Sequence, residues 1–134
     1  DLMEWIFAEE ARNLLLRRHP SSQEEYFSDI FKYLHENRTL VANAYNSVSR
    51  EHLEQYLFNL IHPLMNDFAA RYAEGLIIDK EDFDFVVNMY SAGFIFLAFM
   101  WIHHSMDTDY SQDIHRFCVM LDGSMENALK KFAK

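Results

Sequence analysis

Apolar residues recur at three- and four-residue spacing along most of the chain, the mark of amphipathic helices rather than alternating strands. Leu2, Trp5, Ile6, Leu15 and Leu16 predict a first helix over 2–18, with Arg17 and Arg18 at its negative C-terminal end and Pro20 as its stop. Ser21 or Ser22, followed by Glu24 and Glu25, opens a second over 22–36, with Tyr26, Phe27, Ile30, Phe31 and Leu34 as its stripe. A short third, over 38–46, carries Leu40, Val41, Ala44 and Tyr45. Ser49 is the expected cap of a long helix over 50–74, in which Leu53, Leu57, Leu60, Ile61, Leu64 and Phe68 keep the period and Gly75 ends it. Pro63 removes a backbone donor inside that run and predicts a kink near 59–63.

The next helix, over 80–104 with Asp79 as its cap, has two apolar faces. Phe83, Val86, Tyr90, Phe94, Leu97 and Trp101 share one; Phe85, Met89, Ala92, Phe96, Phe99 and Met100 share the other. A helix apolar all round is buried all round or spans a membrane. Residues 86–102, interrupted by Asn88 and Ser91, are at the short limit for a span, and the neighbouring helices are ordinary amphipathic ones. The expectation is therefore no membrane contact, one face in the chain's own core and the other against a second copy. Ser111 is the expected cap of a last helix over 111–132, with Ile114, Phe117, Cys118, Leu121, Met125 and Leu129 in its stripe and Val119 and Met120 on a second apolar edge.

Composition agrees with an all-α single domain. In 134 residues there are 3 Gly and 2 Pro, against about 16 expected from roughly 7% Gly and 5% Pro usage. That scarcity argues against a many-stranded sandwich or barrel and against a Gly-rich phosphate loop. The 12 Phe, 7 Tyr and 2 Trp exceed what a small helical core needs, which points to an enclosed pocket or a partner. A net charge of −9 excludes binding to a phosphate backbone by this chain alone. Cys118 has no cysteine partner in the chain, which fits a reducing, cytoplasmic compartment. The start lacks the basic region of a secretory signal and an initiator Met, so the chain reads as a fragment or a processed form.

Seven histidines raise the question of a metal, but none lies four residues from another. The residues three before each are Leu16, Lys32, Ser49, Asn59, Met100, Trp101 and Gln112, so the carboxylate–histidine pattern of di-iron bundles is missing. His103 and Asp107 have i, i+4 spacing only at a helix end, where solvent competes. Asp107, Asp109 and Asp113 resemble a calcium loop, but Gln112 and Cys118 stand where it needs glycine and glutamate, so the segment reads as a polar turn. Cys118 lies on an apolar stripe with His115 three residues earlier and reads as a small hydrophobe. No catalytic residue, cofactor or metal ligand is expected. The remaining signal is aromatic: Tyr26, Phe31, Tyr45, Tyr56, Tyr90 and Phe94 either line a cavity between helices or fill a plain core. His62, beside the predicted kink, is either a satisfied core histidine or a polar contact in such a cavity. Tyr45, His62, Met65, Tyr90 and Phe94 are the candidate ligand-binding residues.

Two stretches carry a family resemblance. Asp1-Leu2-Met3-Glu4-Trp5-Ile6-Phe7 is similar to the start of the helix that follows a DNA-binding helix-turn-helix. Phe85-Val86-Val87-Asn88-Met89-Tyr90-Ser91-Ala92-Gly93-Phe94, continuing to Trp101-Ile102, resembles a pattern of a DhaS-like subgroup. Together with the helix order, they make the whole chain resemble the C-terminal regulatory domain of the tetracycline-repressor (TetR) family of bacterial transcription regulators. The resemblance implies a bundle of about six helices whose last two, 80–104 and 111–132, pair with their copies as a four-helix homodimer interface. Phe85, Met89, Ala92, Phe96, Phe99 and Met100, with Phe117, Met120 and Leu121, are the residues expected there. It also implies a pocket for a small hydrophobic or aromatic effector, a lever in the helix over 2–18, and DNA contact only through a helix-turn-helix not present in this chain. The alternatives are a small cofactor- or metal-binding bundle using His62 or His103, and a ligand-free dimeric interaction module.

Overall fold

Six helices form in a computed structural model that describes residues 23–48 and 50–134, and no strand occurs among those residues. They are α1 (Gln23–Glu36), α2 (Arg38–Tyr45), α3 (Arg50–Tyr72), α4 (Lys80–His103), α5 (Tyr110–Leu121) and α6 (Ser124–Phe132). The expected all-α bundle is thus the fold observed. The helix expected over 2–18 and the Ser49 cap lie outside the described residues.

The expected single helix over 111–132 is two. Asp122 ends α5, its N–H bonding the Cys118 carbonyl, and Gly123 stands in the left-handed region at φ 77°. Asp-Gly-Ser supplies three residue types that favour turns and caps over helix interior. The apolar period runs through the break because Leu121, Met125 and Leu129 all stay buried on the same side. Periodicity alone therefore could not reveal it.

Two caps differ from expectation. Asp109, not Ser111, caps α5, its Oδ1 accepting from the Ser111 N–H at 3.0 Å and the Ser111 hydroxyl at 2.8 Å. Asp79 holds the cap position of α4 in extended geometry but makes no side-chain cap bond. Its carboxylate instead pairs with Lys134 Nζ at 2.8 Å, while the Lys134 N–H bonds the Ile77 carbonyl at 2.8 Å. Pro63 stands inside a helix that continues unbroken. Pro63 and Asn59 are both exposed, so the carbonyl that Pro63 cannot serve is within reach of water.

The core is centred on α3 and α4, which pack along each other most extensively, with α1 against α5 and α6 against both central helices. Phe27 and Phe31 of α1 meet Phe94 of α4 at ring-centroid distances of 5.0 and 5.6 Å. Phe31 also lies 5.1 Å from Trp101, and Phe27 5.6 Å edge-on from Phe117. Each such pair contributes about 0.5–1.5 kcal/mol beyond the area it buries. Much of the aromatic excess is absorbed here. Ser91, fully buried on α4, satisfies its hydroxyl by donating to the Val87 carbonyl at 2.8 Å. Helix α4 is long and apolar enough to cross a bilayer by length and composition, yet Val86, Val87, Phe94, Ile95, Ala98 and Trp101 are buried inside the bundle.

Candidate functional site

Two features stand out against this core: an apolar face with no cover and an open cleft. The face runs along α4, where Phe85, Met89 and Phe96 are 60%, 55% and 67% exposed and Ala92 and Met100 are exposed between and beyond them. Their spacing keeps them on one side of the helix. Met120, at 71% exposed, and Val119 are further exposed apolar side chains, on α5. Soluble monomers rarely leave so many large apolar side chains together in water.

Not all the residues expected in an interface lie on that face. Phe99 is half-buried, edge-on to the Tyr45 ring at 5.4 Å. Phe117 is half-buried with its ring against Phe27 and Phe94. Leu121 is buried, because it shares the inner side of α5 with Ile114, seven residues earlier, whereas Met120 is one step further round the helix. Phe117 and Leu121 support the face from within the chain.

The candidate ligand residues have different surroundings. Met65 and Phe94 are fully buried in the core cluster. His62 is half-buried on α3, stacked on Phe58 at 4.9 Å. Tyr90 reaches the Ser124 hydroxyl at 2.6 Å. None of these four lines a described cleft; Tyr45 does.

That cleft, of about 510 Å³, lies between α2 and the C-terminal end of α4. Arg38, Thr39, Ala42, Asn43 and Asn46 line it from the α2 side, and Ile102, His103, Ser105 and Met106 from the end of α4 and the turn after it. The Tyr45 hydroxyl is 3.5 Å from His103 Nδ1. The Arg50 guanidinium sits 4.2 Å from the centre of the Tyr45 ring, and its Nε donates to the Tyr45 carbonyl at 2.7 Å. Ser105 and Met106 both adopt positive φ, 64° and 55°, as the chain leaves α4. The Met106 N–H bonds the Trp101 carbonyl at 3.0 Å, and the Trp101 indole donates to the Thr108 carbonyl at 3.1 Å. These bonds fix the turn that lines the cleft. Helical periodicity cannot find such a site, because its polar residues sit at helix ends and on exposed turns. The run Asn43–Ser47, rich in side-chain amides, is the one signal in the sequence.

Catalytic chemistry finds little support in the titratable groups. Burial, and then the Glu24 carboxylate, push the Cys118 thiol up to about 11, which suppresses the thiolate. His115, the nearest base in sequence, has its Nδ1 3.0 Å from Glu24 Oε1. The Asp109 carboxyl is held below its ordinary value by the Ser111 hydroxyl and then the Ser111 N–H, consistent with a structural cap. Among the described residues no three His, Cys, Asp or Glu side chains gather to hold a metal.

Comparison with known proteins gives a direct family match. Residues 21–123, well over half of the chain, match the transcriptional regulator C-terminal region of the TetR class. No curated protein and no solved structure matches the chain. The match spans α1 to α5 and so contains both the exposed face of α4 and α5 and the cleft beside α2. The chain belongs to the family of C-terminal regulatory regions of TetR-type transcriptional regulators.

Proposed function

We propose that this domain dimerises through the exposed face of α4 and α5, and that a small effector bound within the domain governs DNA binding by a helix-turn-helix outside this chain. The observation that carries the reading is the uncovered stripe of Phe85, Met89, Phe96 and Met100, with Met120 exposed on α5. Covering apolar surface is worth roughly 25 cal/mol per Å², so a second copy with the same stripe stabilises both. An effector acts only if it binds two domain arrangements with different affinity. The Tyr45–Phe99 contact links the cleft to the helix that bears the stripe. The reading includes no catalytic step and places the regulator in the bacterial cytoplasm, where Cys118 stays reduced.

The test is mass by light scattering during size exclusion. Wild type should run as a dimer at micromolar concentration, and Phe96→Glu should run as a monomer with unchanged helical circular dichroism. A monomeric wild type would overturn the dimer.

A further inference from the structure

We infer that the cleft between α2 and the end of α4 is the effector site, and that it takes a small organic anion, a carboxylate or phosphate on an aromatic or aliphatic body. The inference rests on the sensing role proposed above and adds the place and the ligand class.

The chain carries 21 acidic residues and a net charge of −9, yet no carboxylate lines this cleft. What lines it is complementary to an anion. The Arg38 guanidinium and the His103 imidazole line it from different helices, together with the Thr39 hydroxyl and the Asn43 amide, while the Asn46 amide already donates to the Ala42 carbonyl at 2.9 Å. Arg50 lies over the ring of Tyr45, one of the lining residues, and so brings a second guanidinium near without lining the cleft itself. Arg38 commits one nitrogen to the His35 carbonyl at 3.2 Å, which leaves its other donors for a ligand while fixing the side chain. Ala42, Ile102, Met106 and the Tyr45 ring offer apolar surface to a ligand's body, and a volume of about 510 Å³ falls in the ordinary range for small-molecule sites. Other described clefts lack this combination. One is lined by Glu51 and Glu54 with Gln55 and Phe58, and would repel an anion. Another holds Arg116, but that guanidinium is paired with Asp113 at 3.0 Å, and Asp109 lies beside it.

The backbone supports the same assignment. Two successive non-glycine residues in the left-handed region, Ser105 and Met106, shape one wall. Such strain is held where surrounding contacts over-determine it, and it gathers at ligand clamps.

Calorimetric titration of the full chain with benzoate, hexanoate and phenyl phosphate tests this, with benzamide as the neutral counterpart of benzoate. Binding of benzoate or hexanoate, no binding of benzamide, and an affinity at least about tenfold weaker in Arg38→Gln would support a carboxylate effector. The same pattern with phenyl phosphate alone would support a phosphate effector. Arg38 and His103 are exposed, so Arg38→Gln and His103→Ala should keep the wild-type melting curve. No binding of any of the three anions, equal binding of benzamide, or unchanged affinity in both variants would overturn the inference. Light scattering on the same samples separates it from the dimer proposal: a dimer that binds no anion refutes the site alone, and a monomer that binds refutes the dimer alone.

Discussion

Tyr90 on α4 and Ser124 in the first turn of α6 meet hydroxyl to hydroxyl at 2.6 Å, across the break that separates α5 from α6. The bond ties the central helix to the chain on the far side of Gly123, whose φ of 77° makes the break possible. A Cβ at Gly123 would meet nothing within 4 Å, so Gly123→Ala carries only the backbone cost of a left-handed residue. Stability to urea should fall by about 1–2 kcal/mol. Tyr90→Phe should lower it by about 1 kcal/mol through loss of the bond. A Gly123→Ala variant as stable as wild type would mean that α5 and α6 join into one helix.

Gly93 should respond with the opposite sign. It lies inside α4, and an added Cβ would sit 3.5 Å from Phe117 Cε1 and 3.9 Å from Cζ, ordinary van der Waals contact. Alanine is favoured over glycine in a helix interior by about 0.8–1 kcal/mol. Gly93→Ala should therefore raise stability by up to about 1 kcal/mol in the same denaturation assay. A loss would show that Phe117 packs more tightly on this helix than its distance indicates.

The contrast between these two glycines shows what was legible in the sequence. Spacing of apolar residues located α1 to α4 and identified the second apolar face of α4, because burial on a helix repeats every three to four residues. It passed over Gly123, because Leu121, Met125 and Leu129 remain in phase on either side. The family resemblance placed Leu121 and Met120 on one interface, whereas spacing had set them on different edges, and a single step along α5 turns Met120 outward and Leu121 inward. Among the ligand candidates, Met65 and Phe94 have the apolar character of pocket walls, but whether such residues line space or fill it depends on their neighbours in three dimensions. Tyr45 found a cleft because His103 and Ser105, distant in sequence, come to meet the helix that carries it and Arg38.

Ser105 offers a stabilising substitution in the wall of that cleft. Its φ of 64° follows the last turn of α4, where glycine is the usual residue, and its side chain is exposed. Ser105→Gly removes the left-handed penalty but increases the freedom of the unfolded chain. The net gain should be about 0.5–1 kcal/mol in urea denaturation. A loss of stability would show that the Ser105 side chain stabilises the turn.

Tyr26 gives the pH-dependent prediction. Its side chain is buried and its hydroxyl has no hydrogen-bond partner among the described residues. Burial first, then the Asp29 and Asp67 carboxylates, push the phenol from its ordinary value of 10.0 up to about 12. The unfolded chain loses this proton as pH passes 10, while the folded chain keeps it to about pH 12. Between those values the unfolded state binds fewer protons, so stability falls as pH rises, by no more than about 1.4 kcal/mol per pH unit from this group. Cys118, pushed up to about 11, acts in the same direction from its ordinary value of 9.0 and is common to wild type and variant. Tyr26→Phe removes the phenol alone. At pH 7 it should raise stability by about 1 kcal/mol, because the hydroxyl it deletes is buried without a partner. Above pH 10 its stability should decline less steeply than that of wild type. Urea midpoints measured at intervals from pH 7 to pH 11 check both parts, and parallel curves for the two proteins would show that Tyr26 titrates alike in the folded and unfolded chains.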